Sequence, residues 1–108
     1  RVFESARRSR DRWFTVLFRA NGGQNARLGL AISKKHCRKA TSRNTIKRIV
    51  RESFRQHQSE LAGLDVVVIN QPAAATATNR QLFDSLAAHW QQCRAGRNGD
   101  DRGNERNG

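Results

Sequence analysis

Acidic residues are scarce in this chain. Nine Asp and Glu stand against 21 Lys and Arg over 108 residues, giving a formal net charge of +12. The acids, Glu4, Asp11, Glu52, Glu60, Asp65, Asp84 and those near the C-terminus, are scattered and form no D-x-D or E-x-x-H pair. A nuclease working alone needs clustered carboxylates for metals or a His-based acid–base pair. His36, His57 and His89 fall in separate elements without evident partners. A P-loop and a G-x-S-x-G elbow are also missing. No catalytic residue and no protein-borne metal site is therefore expected. Cysteine is limited to Cys37 and Cys93. With His36 beside one and His89 four residues before the other, a zinc site can be imagined, but zinc ligands normally come in tighter pairs. Reduced structural thiols in a cytoplasmic protein are the reading adopted. No apolar run approaches the roughly 18 residues that span a bilayer. A secretory signal is not visible either, and a chain opening at Arg1 is expected to have lost its true start.

What is present in excess is positive charge. Such self-repulsion destabilises a compact state and is seldom kept without an anionic partner. Nucleic acid and anionic membrane are the candidates. Nucleic acid leads, because the basic segment lacks the Trp/Phe/Leu-rich face of an interfacial anchor. The length allows one domain with a modest core, assigned to 1–94, followed by a disordered tail from 95 to 108 without apolar periodicity.

The cations concentrate between Lys34 and Arg55, where Glu52 is the sole acid. At 100° per residue this stretch separates into two helical faces. Ile46, Ile49, Val50, Ser53 and Phe54 share one arc; Asn44, Lys47, Arg48, Arg51 and Arg55 share the other, with Arg43 at the apolar edge. A helix of about 14 residues is roughly 20 Å long, enough to follow consecutive phosphates. Thr41 and Ser42 are candidate N-caps, and the free amides beyond them favour an anion. Solvated faces usually mix signs in i,i+4 pairs; this one leaves its cations nearly unpaired.

Around it, residues 1–8 read as the end of a helix. Phe3 there is either a core contact or a ring able to stack on an unpaired base. Arg12 to Ala20 reads as a strand with Phe14, Val16 and Phe18 on one face and Trp13, Thr15 and Leu17 on the other. After an N-G-G-Q-N turn, Leu28 to Ser33 alternates, with Leu28, Leu30 and Ile32 opposite Gly29, Ala31 and Ser33. Those small residues either leave a shallow trough or serve local packing. Gly63 stops the basic helix, and 64–69 is a buried strand. Residues 70–78, holding the single proline Pro72, form a loop, and Asn79 caps a last helix with Leu82, Phe83, Leu86 and Trp90 as its core stripe.

The segment from Gly29 to Phe54, G-L-A-I-S-K-K-H-C-R-K-A-T-S-R-N-T-I-K-R-I-V-R-E-S-F, resembles the hallmark of the bacterial ribonuclease P protein component family. The flanking strands also fall where that family has counterparts, so the similarity covers roughly residues 2–93. It implies an α/β fold (an α+β sandwich): a small mixed sheet with helices and a left-handed βαβ crossover carrying the R-N-x-x-K-R helix. Handedness comes from the resemblance alone, since about 98% of such crossovers are right-handed. The resemblance further implies that ribonuclease P RNA and precursor tRNA are partners, without membrane or obligate protein partner. Mg²⁺, held mainly by the RNA and substrate, would then serve removal of the 5′ leader. Lys34, Lys35, Arg43, Asn44, Lys47, Arg48, Arg51 and Arg55 would contact RNA. Phe3, Leu17, Ala31 and Ser33 would line a cleft for the leader. Thr45 stands where the motif usually has arginine, and Leu17 where some relatives place tyrosine. A general RNA-binding module and a protein-only nuclease are the competing classes.

Overall fold

The computed structural model of the chain describes residues 6–99. Their elements run β1 (Arg7–Arg10), β2 (Phe14–Ala20), β3 (Arg27–Ala31), α1 (Ala40–Gln56), β4 (Leu64–Asn70) and α2 (Asn79–Gly99), with short 3₁₀ turns at Gln58–Leu61 and Pro72–Thr76. The four strands form one mixed sheet in the order β1-β2-β4-β3. β1 and β4 both pair antiparallel with β2, and β3 pairs parallel with β4. A parallel pair needs a crossover connection, and α1 is that crossover.

Strand periodicity decides the two faces of the sheet. Phe14, Val16 and Phe18 from β2 and Leu64, Val66 and Val68 from β4 are buried, as are Ile46, Ile49, Val50 and Phe54 from α1 and Leu82, Leu86 and Trp90 from α2. Both helices thus lie on one face of the sheet. Ser53, the polar member of α1's inner arc, is buried because Trp90 Nε1 donates to its Oγ at 2.9 Å. Phe54 meets the same indole edge to face, with centroids 5.8 Å apart.

Several expected boundaries move, each for a local reason. Arg7 and Arg8 belong to a strand rather than a helix end. Asp11 turns the chain there: its Oδ1 accepts from the Trp13 and Phe14 amides, both at 2.9 Å, setting the hairpin to β2. β3 ends at Ala31, because Ser33 is drawn into the following turn by Asn70. α1 begins at Ala40 with Lys39 as N-cap and no side-chain cap bond, so Thr41 and Ser42 lie inside its first turn. Asn70 is the last residue of β4 instead of a loop residue. At α2 the cap is Thr78, not Asn79: Thr78 Oγ1 accepts from the Gln81 amide at 3.1 Å and Gln81 Oε1 from the Thr78 amide at 2.9 Å.

The tail assignment is corrected as well. α2 continues through residues 95–99. Close packing explains this, since a Cβ on Gly96 would stand 2.7 Å from Cε2 of the Phe18 ring, and only glycine lets the helix lie that near β2. Residues 100–108 lie outside the described residues, as does Phe3.

Candidate RNA interface

The inner arc of α1 anchors the helix and thereby fixes what its outer arc shows. Over 17 residues, about 25 Å at 1.5 Å per residue, Asn44, Arg48, Arg51 and Arg55 are exposed, and Lys47 is half-buried. The one acid, Glu52, meets Arg48 at 3.4 Å in an exposed i,i+4 pair, of the kind that contributes little in water. Lys47, Arg51 and Arg55 recur at i,i+4 and form a single file of charge.

Arg43 is different. Its Nη1 donates to the carbonyls of Cys37 and Arg38, both at 2.9 Å, so this half-buried guanidinium is folded back on the loop that enters α1. Among the expected RNA-contacting residues it also acts as a brace. Thr45, in place of the motif's usual arginine, donates to the Thr41 carbonyl at 3.1 Å within the helix.

Lys34 and Lys35 are exposed on the turn between β3 and α1. That turn is held by fully buried Asn70, whose Oδ1 accepts from the Ser33 amide at 2.7 Å. Ser33 Oγ accepts from the Lys35 amide at 3.0 Å, and Nδ1 of His36 meets the Asn70 carbonyl at 2.9 Å. A buried amide inside β4 thus positions two surface lysines far from it in sequence. The asparagine ending L-D-V-V-V-I-N was the available signal, because a polar residue in register with inward-facing leucine and valines requires a partner.

Opposite the helices, the sheet presents a second surface whose rows follow from the pairing. Arg10, Thr15, Ile69 and Ala31 align across the four strands, and Arg8, Leu17, Val67 and Gly29 form the next row. Arg19, Asp65 and Arg27 make a third row across β2, β4 and β3. Leu17 and Ala31 therefore share this face, Leu17 half-buried and Ala31 exposed; Ser33 lies past the strand end, its hydroxyl committed to the turn. A depression of about 200 Å³ opens between β3 and β4, with Arg27, Gly29, Asp65 and Val67 in its lining. Arg8 was not legible as a site residue while 1–8 read as helical, and Arg10 lay between that stretch and the strand read from Arg12. They border the apolar rows at strand spacing once residues 7–10 are recognised as extended.

Asp65 is the fixed anion of this face. Arg27 Nε and Nη2 bind its two oxygens at 2.8 and 3.0 Å, and Asn21 Nδ2 adds a bond at 3.0 Å. The Arg27 fork holds the Asp65 carboxyl below the usual carboxylate range, against the smaller opposing effect of burial. Elsewhere burial pushes the Cys93 thiol up to about 12, which keeps it a neutral packing group. His89 faces Ser9 and Asp11 rather than either cysteine. Among the described residues no three His, Cys, Asp or Glu side chains come together in a way that would hold a metal ion. No helix there is long and apolar enough to cross a membrane.

Known proteins share this geometry. The sequence profile of the family described as Ribonuclease P matches residues 1–94. The ribonuclease P protein component of Thioalkalivibrio sulfidiphilus is 52% identical over 89 residues, covering 82% of this chain and 74% of the relative. That of Vibrio cholerae is 44% identical over 92 residues, covering 85% and 78%. Among solved structures, the Thermotoga maritima RNase P protein in complex with 1-(4-fluorophenyl)-2-thiourea superposes with a TM-score of 0.75 at 32% identity, covering 82% of this chain and 87% of that one. The Staphylococcus aureus RNase P protein gives 0.75 at 34% identity, covering 82% and 81%. With the motif, the sheet order and the crossover helix all in agreement, the chain belongs to the bacterial ribonuclease P protein component family.

Proposed function

We propose that this protein binds ribonuclease P RNA and the single-stranded 5′ leader of precursor tRNA, and that it assists removal of the leader without performing the bond cleavage. The observation that carries this reading is α1: its apolar arc is buried while Asn44, Arg48, Arg51 and Arg55 face solvent with Glu52 as the helix's sole acid. Each phosphate neutralised by such a side chain releases counterions, so affinity falls steeply with salt. The open sheet face suits the leader. Its apolar row from Leu17 to Val67, with Ile69 beside it, contacts bases or ribose without reading sequence, and Arg8 and Arg10 lie beside the backbone path. Fixing an extended leader on this face brings the scissile phosphate into register. Mg²⁺ supplies metal-assisted attack by water when bound by the RNA and substrate; the described residues of this chain provide no cluster to hold it.

The test is a binding comparison with the assembled complex. Precursor tRNA carrying a leader is expected to bind more tightly than mature tRNA. Equal affinity would favour a general RNA-binding module, and Mg²⁺-dependent cleavage by the purified chain without RNA would overturn the division of labour.

A further inference from the structure

Where α1 ends, its file of cations meets a cavity that the proposed function leaves unused. The cavity is about 400 Å³, within the size range of small-ligand sites. It lies between the β2–β3 turn and the end of α1 with the 3₁₀ turn behind it. Gln24, Asn25, Arg55, Gln56, Gln58 and Ser59 line it, together with half-buried Ala26 and Ala62.

One wall of this cavity is preformed. The Asn21 amide donates to the Gly63 carbonyl at 2.8 Å and the Gly63 amide to the Asn25 carbonyl at 3.3 Å, while Asn21 Nδ2 reaches the same Asn25 carbonyl at 3.0 Å. Gly63 sits at φ +84°, and a Cβ there would lie 3.3 Å from the Gly23 carbonyl oxygen, so glycine is required for the two segments to meet.

The chemistry of the lining is specific. It holds one cation, no carboxylate and four side-chain amides, and those amides make no hydrogen bond with other described residues. A single amide of that sort is an ordinary solvated side chain. Four around one cavity present paired donors and acceptors to whatever enters, and that pairing matches the edge of a nucleobase, adenine N6 and N7 above all. Arg55 stands one turn beyond Arg51, so a chain whose phosphates follow Lys47, Arg51 and Arg55 would deliver its next nucleotide here.

We propose that this cavity is a nucleobase subsite: it takes an unpaired adenine nucleotide, with Arg55 on the phosphate and the surrounding amides on the base edge. The proposal rests on the reading of α1 as an RNA-binding face.

The test uses nuclear magnetic resonance on the ¹⁵N-labelled full chain. Titration with adenosine 5′-monophosphate is expected to shift the side-chain amide signals of Gln24, Asn25, Gln56 and Gln58 together with Arg55 Nε–H. Ribose 5-phosphate is expected to shift Arg55 alone. Combining Gln24→Ala with Gln58→Ala, both exposed, should weaken binding of the nucleotide roughly fivefold or more and leave ribose 5-phosphate unchanged. Amides that stay still with the nucleotide, or that move as far with the base-free sugar phosphate, would overturn the proposal, as would an unaffected double variant. The two readings fail separately: silent amides with responding Lys47, Arg51 and Arg55 reject the cavity alone. Absence of any phosphate response along those three rejects the role of α1.

Discussion

Nε2 of His89 in α2 lies 3.2 Å from Oδ2 of Asp11 in the β1–β2 turn, within ion-pair reach though out of line for a hydrogen bond. The other ring nitrogen, Nδ1, is 2.7 Å from the Ser9 hydroxyl of β1. Ser85, one turn before His89, donates to Asp11 Oδ2 at 2.6 Å. A buried polar group thus ties the last helix to the first hairpin, and the neutral imidazole with its proton on Nε2 is the tautomer that suits both neighbours.

The first prediction is a loss of stability in mild acid. Burial holds His89 below its ordinary value of 6.5, against the opposing pull of Asp11. As pH falls, the unfolded chain therefore takes up the proton before the folded one, and stability declines from about pH 6.5 downward. Burial also resists ionisation of Asp11, but bonds from the Ser85 hydroxyl and the Phe14 and Trp13 amides outweigh it and hold its carboxyl below 3.8. Its contribution is lost only at more acid pH. Thermal unfolding followed between pH 7.5 and 5 should show a falling Tm, with a flatter profile in His89→Gln. An identical slope in that variant would remove His89 as the cause.

Ser53→Ala is expected to destabilise the fold by about 1–3 kcal/mol, because it leaves the buried Trp90 indole N–H without its acceptor. Denaturant titration measures this, and RNA affinity of the folded fraction should not change, since Ser53 faces inward.

Asn70→Ala should act on the interface from inside. Removing the amide frees the Ser33 backbone and with it the turn bearing Lys34 and Lys35. Faster hydrogen exchange at the Ser33 and Lys35 amides is the direct readout, accompanied by weaker RNA binding. Unchanged exchange would show that the turn is held by other means.

Arg48→Ala and Arg51→Ala should each weaken RNA binding and reduce the slope of log affinity against log salt by about 0.7–0.9 for every phosphate left without its cation. Circular dichroism should be unaltered, both side chains being exposed. An unchanged slope would take that residue out of the interface.

Legibility followed the range of the interactions involved. The buried arc of α1, the β2 faces and the α2 stripe were readable because helix and strand periodicities are local properties. Boundaries were less so. Thr41 and Ser42 are suitable caps by type, yet Arg43 closes the loop by binding the Cys37 and Arg38 carbonyls, and the helix starts earlier at Ala40. The lack of apolar periodicity from Ala95 onward suggested a tail, whereas the Phe18 ring, distant in sequence, packs against Gly96 in the continuing helix.

Charge and the amphipathic division of α1 were settled by composition and spacing alone, since both depend only on residue type and distance along the chain. Tertiary structure decided which surfaces those residues form. Only strand pairing brings Arg8, Leu17, Val67 and Gly29 into one row. Only the return of β4 beside β3 places Asn70 under the lysine turn, and only the meeting of Gly63 with the β2–β3 turn sets that turn beside the end of α1 as one wall of the amide-lined cavity. These are contacts between segments tens of residues apart, and no local pattern encodes which partner each segment will find.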